Sequence, residues 1–582
     1  MDRRLNFRVL SALVSIYSLI SLQWNWPNLG NDLTPRIFIS WAMLIACTAW
    51  CWGQAFNSGK LLLNKSFALF LSPPITISLF SLFGPTGSKE YYPFLSFFCF
   101  FFGSLFIIGL IQLQLNKSEW EKLGWVITLG TILLSFFALM SPLYFNVTGI
   151  FSLLPIPMTV NQAGFQQPNL FASYLSTNIA LIYWLIVSND EKRTNLKNNL
   201  LLVTTFILSF TLFCTGSRAG LVGGILSFTL LLVWSSVTKK ESIFFNFSWA
   251  LSIITGLVLA ILFLNEFHPD RSVSSRLAQL LAEMGGNSSR LPIWRVSIEI
   301  WLDHPWVGIG VGKFTEFYTD YYVRLAYKGV KLTYEQNIDH PHCELLLWLV
   351  ETGLIGAFFI LGPILLFITY ILRKGKLASL GWFAVLIPMG FHTFVEFPFH
   401  SSGAHWLLYG FVIATGFRSE WLKTYFIELG TLGLKICRIT ILSILSIPIL
   451  ILFQTAYTSK LALTHMFNKD PLLIEHLIKW SQSPEFNHPI LGRLSNDLFM
   501  SNTVPLIVSS GDTKIISTWT PVIENLSLRW QNNMIWQSLA ICYLSNKDID
   551  KLDQLIYKLR ILNPQMADQI TAIKIQAGLK NP

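Results

Sequence analysis

Charge is what this chain has least of. Only 13% of its residues are charged against 52% hydrophobic, with 46 Phe and 21 Trp. A soluble globular fold of this length would need far more charged surface, so composition assigns a polytopic membrane protein. Cysteine is also scarce. Of seven, Cys47, Cys51, Cys99, Cys214 and Cys437 fall in apolar runs, leaving Cys343 and Cys542, so no disulfide framework is implied. The first apolar run lacks a small-residue cleavage pattern, since Leu22-Gln23-Trp24-Asn25-Trp26-Pro27 follows it; it is expected to stay as an anchor rather than be removed as a signal peptide. The formal net charge of +10 follows from basic residues gathered in short loops, which excludes nucleic acid as a partner.

What is present is long apolar segments. A helix crossing the hydrocarbon core needs about 20 apolar residues, and on that measure about thirteen spans are read. They centre near residues 7–24, 37–52, 66–83, 93–115, 123–141, 170–188, 199–214, 219–237, 247–264, 343–372, 377–391, 405–417 and 437–456. The expected fold class is therefore all-α. Lys and Arg are retained on the cytoplasmic side of a membrane, and here Arg3, Arg4 and Arg8, then Lys60 and Lys65, Lys117 and Lys122, Arg193 and Lys197, Lys239 and Lys240, Arg373 and Lys374, and Arg418 and Lys435 collect on one side. That alternation puts the N-terminus in the cytoplasm. The loop 265–342, the segment 392–403 and the tail beyond residue 457 face outward.

The chain thus divides into a membrane body, residues 1–456, with the large outward loop 265–342 embedded in it, and a C-terminal helical domain, residues 457–582. In the tail, Ile535, Leu539, Ala540 and Tyr543, then Leu552, Leu555, Ile556 and Leu559, recur at helical spacing and predict two amphipathic helices ending at Pro564. The pair is similar to one tetratricopeptide-like hairpin. A small helical bundle fits equally, because repeat folds need about three repeats to stack a stable core.

Five polar clusters stand out against this apolar background. Asn337-Ile338-Asp339-His340-Pro341-His342-Cys343-Glu344 runs straight into the tenth apolar segment, placing two imidazoles at the mouth of a span. In Cys214-Thr215-Gly216-Ser217-Arg218-Ala219-Gly220, Arg218 lies beside hydrocarbon, where an Arg faces an aqueous cavity or an anionic partner; the alternative is an Arg snorkelling to headgroups at a tight turn. Asn287-Ser288-Ser289-Arg290-Leu291-Pro292-Ile293-Trp294-Arg295 leads into Val296, Ile298, Ile300 and Trp301. This spacing predicts an amphipathic helix at the outer interface, with Pro292 in its first turn. Arg290 or Arg295 there matches phosphate oxygens with a planar fork, for catalysis or for headgroup binding alone. Gln162-Ala163-Gly164-Phe165-Gln166-Gln167-Pro168-Asn169 approaches the sixth span with amides suited to sugar hydroxyls, unless Asn169 merely caps the helix after Pro168. His392, Glu396, His400 and His405 are expected on the outward segment after the eleventh span.

No second ligand pair accompanies His340 and His342 at a spacing that zinc's tetrahedral set requires. No metal and no cofactor is expected.

Ser217-Arg218-Ala219-Gly220, Arg290-Leu291-Pro292-Ile293-Trp294 and His342-Cys343-Glu344-Leu345-Leu346, followed by Leu349-Val350-Glu351-Thr352-Gly353-Leu354-Ile355-Gly356, resemble the O-antigen ligase and polymerase superfamily. Gln167-Pro168-Asn169-Leu170 and the helical tail look like its branch of bacterial protein O-oligosaccharyltransferases, which glycosylate pilins and other periplasmic proteins. Carried over, the resemblance implies His342 as the essential histidine and Arg218 and Arg290 as the characteristic arginines. It implies His340, Arg295, Gln167, Asn169, Glu344 and Glu396 as candidates for holding substrate. Where the family usually has Asn after the histidine, this chain has Cys343. The resemblance further implies an inner-membrane location, a periplasmic active site, an undecaprenyl-diphosphate-linked oligosaccharide as donor and Ser or Thr of pilin or another periplasmic protein as acceptor.

Both readings converge on glycosyl transfer without a metal. An imidazole, ordinarily titrating near ~6.5, can take a proton from a hydroxyl nucleophile. Two guanidinium groups can neutralise a departing diphosphate, and if Pro341 opens the tenth helix its first amides add positive potential. The rival readings are ligation to lipid A-core, O-antigen polymerisation, and a lipid-linked sugar flippase, whose polar residues would line a path through the bilayer.

Overall fold

The computed structural model describes residues 3–18, 34–82, 91–145, 165, 167–189, 193–267, 275, 290–330, 332–336, 338, 340–417, 425–428, 430–443, 445–446, 504–509, 511–527 and 532–579. The chain is overwhelmingly helical, in agreement with the all-α expectation. The apolar runs become α1 (Arg3–Ile16), α2 (Thr34–Asn57), α3 (Phe67–Leu82), α4 (Tyr91–Gln112), α5 (Lys117–Phe145), α6 (Pro168–Val187), α7 (Asn195–Thr215), α8 (Arg218–Val237) and α9 (Ile243–Phe267). The loop that follows carries α10 (Arg290–Asp303) and α11 (Phe314–Tyr327). Then come α12 (Glu344–His392), α13 (Pro398–Ser401) and α14 (Gly403–Gly416). The tail contributes α15 (Val504–Ser509), α16 (Thr513–Ser527), α17 (Asn533–Asn546), α18 (Ile549–Leu562) and α19 (Pro564–Gln576). α6, α7, α8, α9 and residues 344–375 of α12 are each long and apolar enough to cross a membrane. The thirteenth expected span, 437–456, lies mostly outside the described residues, although 431–443 are helical.

Residues 344–392 are helical without a gap, yet they do not form one rod. Phe367 and Trp382 would stand roughly 22 Å apart along a straight helix, whereas their ring centroids are 6.1 Å apart. Ser379 Oγ also donates to the carbonyl of Leu372 at 3.4 Å. The chain therefore folds back around Arg373, Lys374 and Lys376, the basic residues that the sequence assigns to a loop between two spans.

Contacts group the chain into two compact units: Met1–Ile75, Ser96–Gly286 and Phe359–Gln454 in the first, Thr76–Leu95, Asn287–Phe358 and Thr455–Pro582 in the second. In the first unit α6 is an interior helix. Leu170 to Val187 are all buried, including Ser173, Ser176, Thr177 and Asn178. Neighbouring helices satisfy Ser176 and Asn178 inside this apolar bundle. Asn178 Nδ2 donates to Thr131 Oγ1 at 3.1 Å, and its Oδ1 accepts from Thr128 Oγ1 at 2.9 Å. Ser176 Oγ donates to the carbonyl of Gly220 at 3.0 Å. α8 comes close enough there that a Cβ on Gly220 would meet that of Ala172 at 2.3 Å. A two-stranded antiparallel ribbon pairs β1 (Lys60–Leu63) with β2 (Tyr425–Glu428), Lys60 opposite Glu428.

The second unit joins loop and tail in one core. Ile293, Val296 and Ile300 of α10, Phe314, Tyr318 and Tyr322 of α11, and Leu347 and Val350 of α12 pack with Ile516, Trp519, Ile535, Leu539, Ile556 and Leu559 of the tail. Both expected tail helices exist, but they are flanked by α16 and α19. Pro564 starts a helix rather than ending the fold: Asn563 accepts from the amide of Met566 at 3.1 Å and Pro564 fills the first turn, the position where a missing N–H costs nothing. All seven cysteines are free.

α12 is interrupted near its start. Gly353 takes φ of 64°, and the next two amides leave the helix, Leu354 N donating to the carbonyl of Pro305 at 2.8 Å and Ile355 N to that of Trp306 at 3.2 Å. In return Ile309 N donates to the carbonyl of Val350 at 3.0 Å and Gly310 N to that of Glu351 at 2.9 Å. Backbone groups orphaned inside an apolar helix must be repaired by neighbouring protein. Only glycine allows this closeness, since a Cβ on Gly353 would meet the carbonyl carbon of Trp306 at 2.2 Å and one on Gly308 that of Glu351 at 2.4 Å. Glu351 completes the join by accepting from Gly312 N at 2.9 Å.

Candidate functional site

In the second unit, the histidine segment is held from both sides. Trp294 Nε1 donates to the carbonyl of Pro341 at 2.9 Å, so α10 fixes the turn that carries the imidazoles. Arg290 lies one helical turn before Trp294 on that helix and is half-buried. The ring centroids of His340 and His342 are 4.4 Å apart at 63°. His340 is buried and His342 half-buried, so His342 is the more accessible of the two. His342 also takes φ of 50°, a left-handed conformation that costs a non-glycine residue on the order of 1 kcal/mol or more and that clusters at functional sites.

The helix does not open at Pro341. α12 starts at Glu344, which is buried in its first turn, and Cys343 precedes it. The Cys343 carbonyl accepts from Leu347 N at 2.9 Å, and its sulfur accepts from the amides of Leu345 and Leu346. Cys343 thus does what a capping Asn does, with a weaker acceptor. The positive end of the helix still faces the imidazole region, three residues later than expected. Arg290 stands one turn before the Trp294 that bonds Pro341, on the helix that holds the histidine turn. Arg295 is elsewhere. Five residues beyond Arg290, it lies roughly 140° around the helix, exposed and paired with Glu299 at 2.7 Å. The predicted apolar face of α10 is likewise divided: Val296 and Ile300 enter the core, whereas Ile298 is exposed.

In the first unit, Arg218 is the first residue of α8, exposed, and its position follows from two local signals. Gly216 ends α7 in the left-handed conformation at φ 67°, and the Ser217 hydroxyl caps α8 by accepting from Gly220 N at 3.1 Å. The Ser217 hydroxyl in turn donates to Asn169 Oδ1 at 2.6 Å. Asn169 is therefore not a cap. The N-cap of α6 is Gln167, half-buried and without a side-chain capping bond, and Pro168 opens the helix. Asn169 instead ties α6 to the turn that presents Arg218.

The cluster after the eleventh span is buried, in and around a short turn between two helices. His392 ends the second arm of α12, His405 lies in α14, and His392, Glu396, His400 and His405 are all buried. Ser173 Oγ joins two of them, 2.7 Å from His392 Nδ1 and 3.0 Å from His405 Nε2, while His405 Nδ1 meets Ser402 Oγ at 2.7 Å. Through Ser173 and Ser402, His392 and His405 join α6, α12 and α14. Sequence reasoning missed Ser173, although it stands one turn after Asn169 on the same helical face. It also missed Trp294 as the clamp on the histidine turn.

Residues 203–361 match the family model described as O-antigen ligase. The match contains Arg218, Arg290, Arg295, His340, His342 and Glu344, and leaves Gln167, Asn169 and Glu396 outside it. No curated protein matches the chain. The matched segment spans the polar turn before α8, the histidine turn and the interrupted start of α12, so this part of the chain is similar to the O-antigen ligase family.

Proposed function

We propose that this protein is an oligosaccharyltransferase that moves a glycan from an undecaprenyl-diphosphate carrier to Ser or Thr of pilin or another periplasmic protein. The observation that carries the reading is His342, held at φ 50° at the mouth of an apolar helix, beside a second imidazole and in a turn clamped by the helix that carries Arg290. His342 acts as general base: it takes the acceptor hydroxyl proton as the oxygen attacks the anomeric carbon. The bond from that carbon to the diphosphate oxygen breaks with inversion, and the diphosphate leaves with the electron pair. Arg290 and Arg218 stabilise its charge, which removes the need for a divalent metal. His340, Glu344, Gln167, Asn169 and Glu396 orient substrate or the residues that touch it; Arg295, on the other face of α10, serves the headgroup layer.

The reaction is assigned to the periplasmic face of the inner membrane. The positive-inside distribution supports it, with the N-terminus cytoplasmic and residues 457–582 periplasmic. The helical tail supports a protein acceptor over lipid A-core, because a folded outer domain offers a surface on which a folded acceptor can be held. The test is the intact mass of periplasmic proteins from cells that make the lipid-linked glycan, with and without this chain. A glycan-sized increase on pilin that requires the chain is expected. Unchanged proteins with newly capped lipid A-core would overturn the protein-acceptor reading in favour of the ligase.

A further inference from the structure

α10 has two apolar faces. Ile293, Val296 and Ile300 point into the core of the second unit. The opposite side exposes Leu291 (61%), Ile298 and Leu302 (57%), and the chain continues into the equally exposed Trp306 (64%) and Val307 (58%). The only charge along that helical stripe is Arg295. A water-facing surface has little reason to gather these side chains.

The backbone tells what covers them. Pro305 and Trp306 accept from Leu354 and Ile355, and Ile309 and Gly310 donate to Val350 and Glu351, so the turn is joined directly to the interrupted part of a helix apolar enough to span the bilayer. Leu354, Ile355 and Phe358 on that helix are themselves exposed, as lipid-facing residues of a span are. Trp306 and Val307 are therefore bonded alongside the lipid-facing surface of the span and continue it.

We propose that Leu291, Ile298, Leu302, Trp306 and Val307 form a membrane-inserted surface, with α10 lying in the outer leaflet and phospholipid acyl chains as its occupant. Arg295 reaches from this stripe to the headgroups along its aliphatic stem, and the indole of Trp306 suits the interfacial layer. Gly308 and Gly353 set the depth, because their missing Cβ atoms let the turn and the span share backbone hydrogen bonds. The inference is independent of the proposed chemistry.

The test places nitroxide labels on the full-length protein at Leu302→Cys and Val307→Cys, with Lys328→Cys, exposed on the polar end of α11, as the water-side control. The proteins are reconstituted in phosphatidylethanolamine and phosphatidylglycerol vesicles, and signal from the native cysteines is subtracted using the unsubstituted chain. Labels at 302 and 307 are expected to collide more with dissolved oxygen than with a water-soluble nickel chelate, and the label at 328 the reverse. A nickel-dominated response at 302 and 307 would overturn the proposal. Where a cysteine variant fails to fold, p-benzoylphenylalanine at position 306 gives a second reading: photolysis in the same vesicles is expected to yield a phospholipid adduct. A protein adduct with none to lipid would mean that the surface binds a polypeptide.

Discussion

Replacing His342 with glycine separates chemistry from folding in a way that alanine does not. His342 has φ of 50°, where a side chain costs about 1–2 kcal/mol relative to glycine. Glycine relieves that cost and gives back roughly 0.5–1 kcal/mol in unfolded-chain entropy, which leaves a net of roughly 0.5–1 kcal/mol in favour of glycine. Alanine keeps the left-handed strain, and both variants lose the contact with the His340 ring, whose centroid is 4.4 Å away. His342→Gly should therefore be at least as stable as His342→Ala, by roughly 1 kcal/mol, the reverse of the usual order of these residues. Both should lose transfer by about 10²- to 10⁴-fold, the usual contribution of a positioned base. Thermal melts in detergent, paired with transfer from a lipid-linked donor, read both quantities. Transfer by His342→Gly within tenfold of wild type would refute the base assignment, and a glycine variant less stable than the alanine one would refute the left-handed backbone.

Arg218→Lys and Arg290→Lys should each fold normally and lose most transfer, because an ammonium cannot make the bidentate contact of a guanidinium with a diphosphate; the loss should appear in donor binding or leaving-group departure, and full activity in both would reduce them to headgroup anchors. Cys343→Asn should retain transfer and gain about 0.5–1 kcal/mol of stability in melts, since it restores a strong capping acceptor at the start of α12; a severe loss of activity would give the sulfur a role beyond capping. Asp303 receives hydrogen bonds from Tyr321 at 2.8 Å and Arg324 at 2.7 Å, and these hold its carboxyl below the usual range. A depressed carboxyl contributes stability above its unfolded value of about 4 and loses it as pH falls through the folded value. Asp303→Asn should therefore be less stable than wild type near neutrality, with the small difference closing under strong acid; an equal gap at every pH would assign the effect to packing.

The helices were legible because each apolar run is long and the basic residues fall between runs, and even the fold-back around Lys374 was visible in that charge. Ser217 before Arg218 reads as a helix start from side-chain chemistry alone. What escaped was set by partners distant in sequence. Nothing local shows that Asn169 bonds Ser217 rather than its own helix, because both are good uses of an amide. The break at Gly353 depends on a turn almost fifty residues earlier, and a single glycine in a membrane helix carries little signal. The joint core of Ile293, Tyr318 and Leu347 with Trp519 and Ile556 is likewise invisible to periodicity, which reports which face is apolar and not what it meets. Pro564 was readable in principle: Asn-Pro is a capping residue followed by a first-turn proline as much as it is a stop.

The most direct test of glycan transfer to protein is reconstitution of the purified chain in vesicles with an undecaprenyl-diphosphate-linked oligosaccharide, offered pilin, lipid A-core or more lipid-linked glycan in separate reactions containing a metal chelator. The account predicts that intact mass spectrometry finds pilin heavier by one glycan, with free undecaprenyl diphosphate released in equal amount and no product from His342→Gly. Glycan appearing only on lipid A-core, only on the carrier-linked chain, or on pilin only once metal is restored would contradict it.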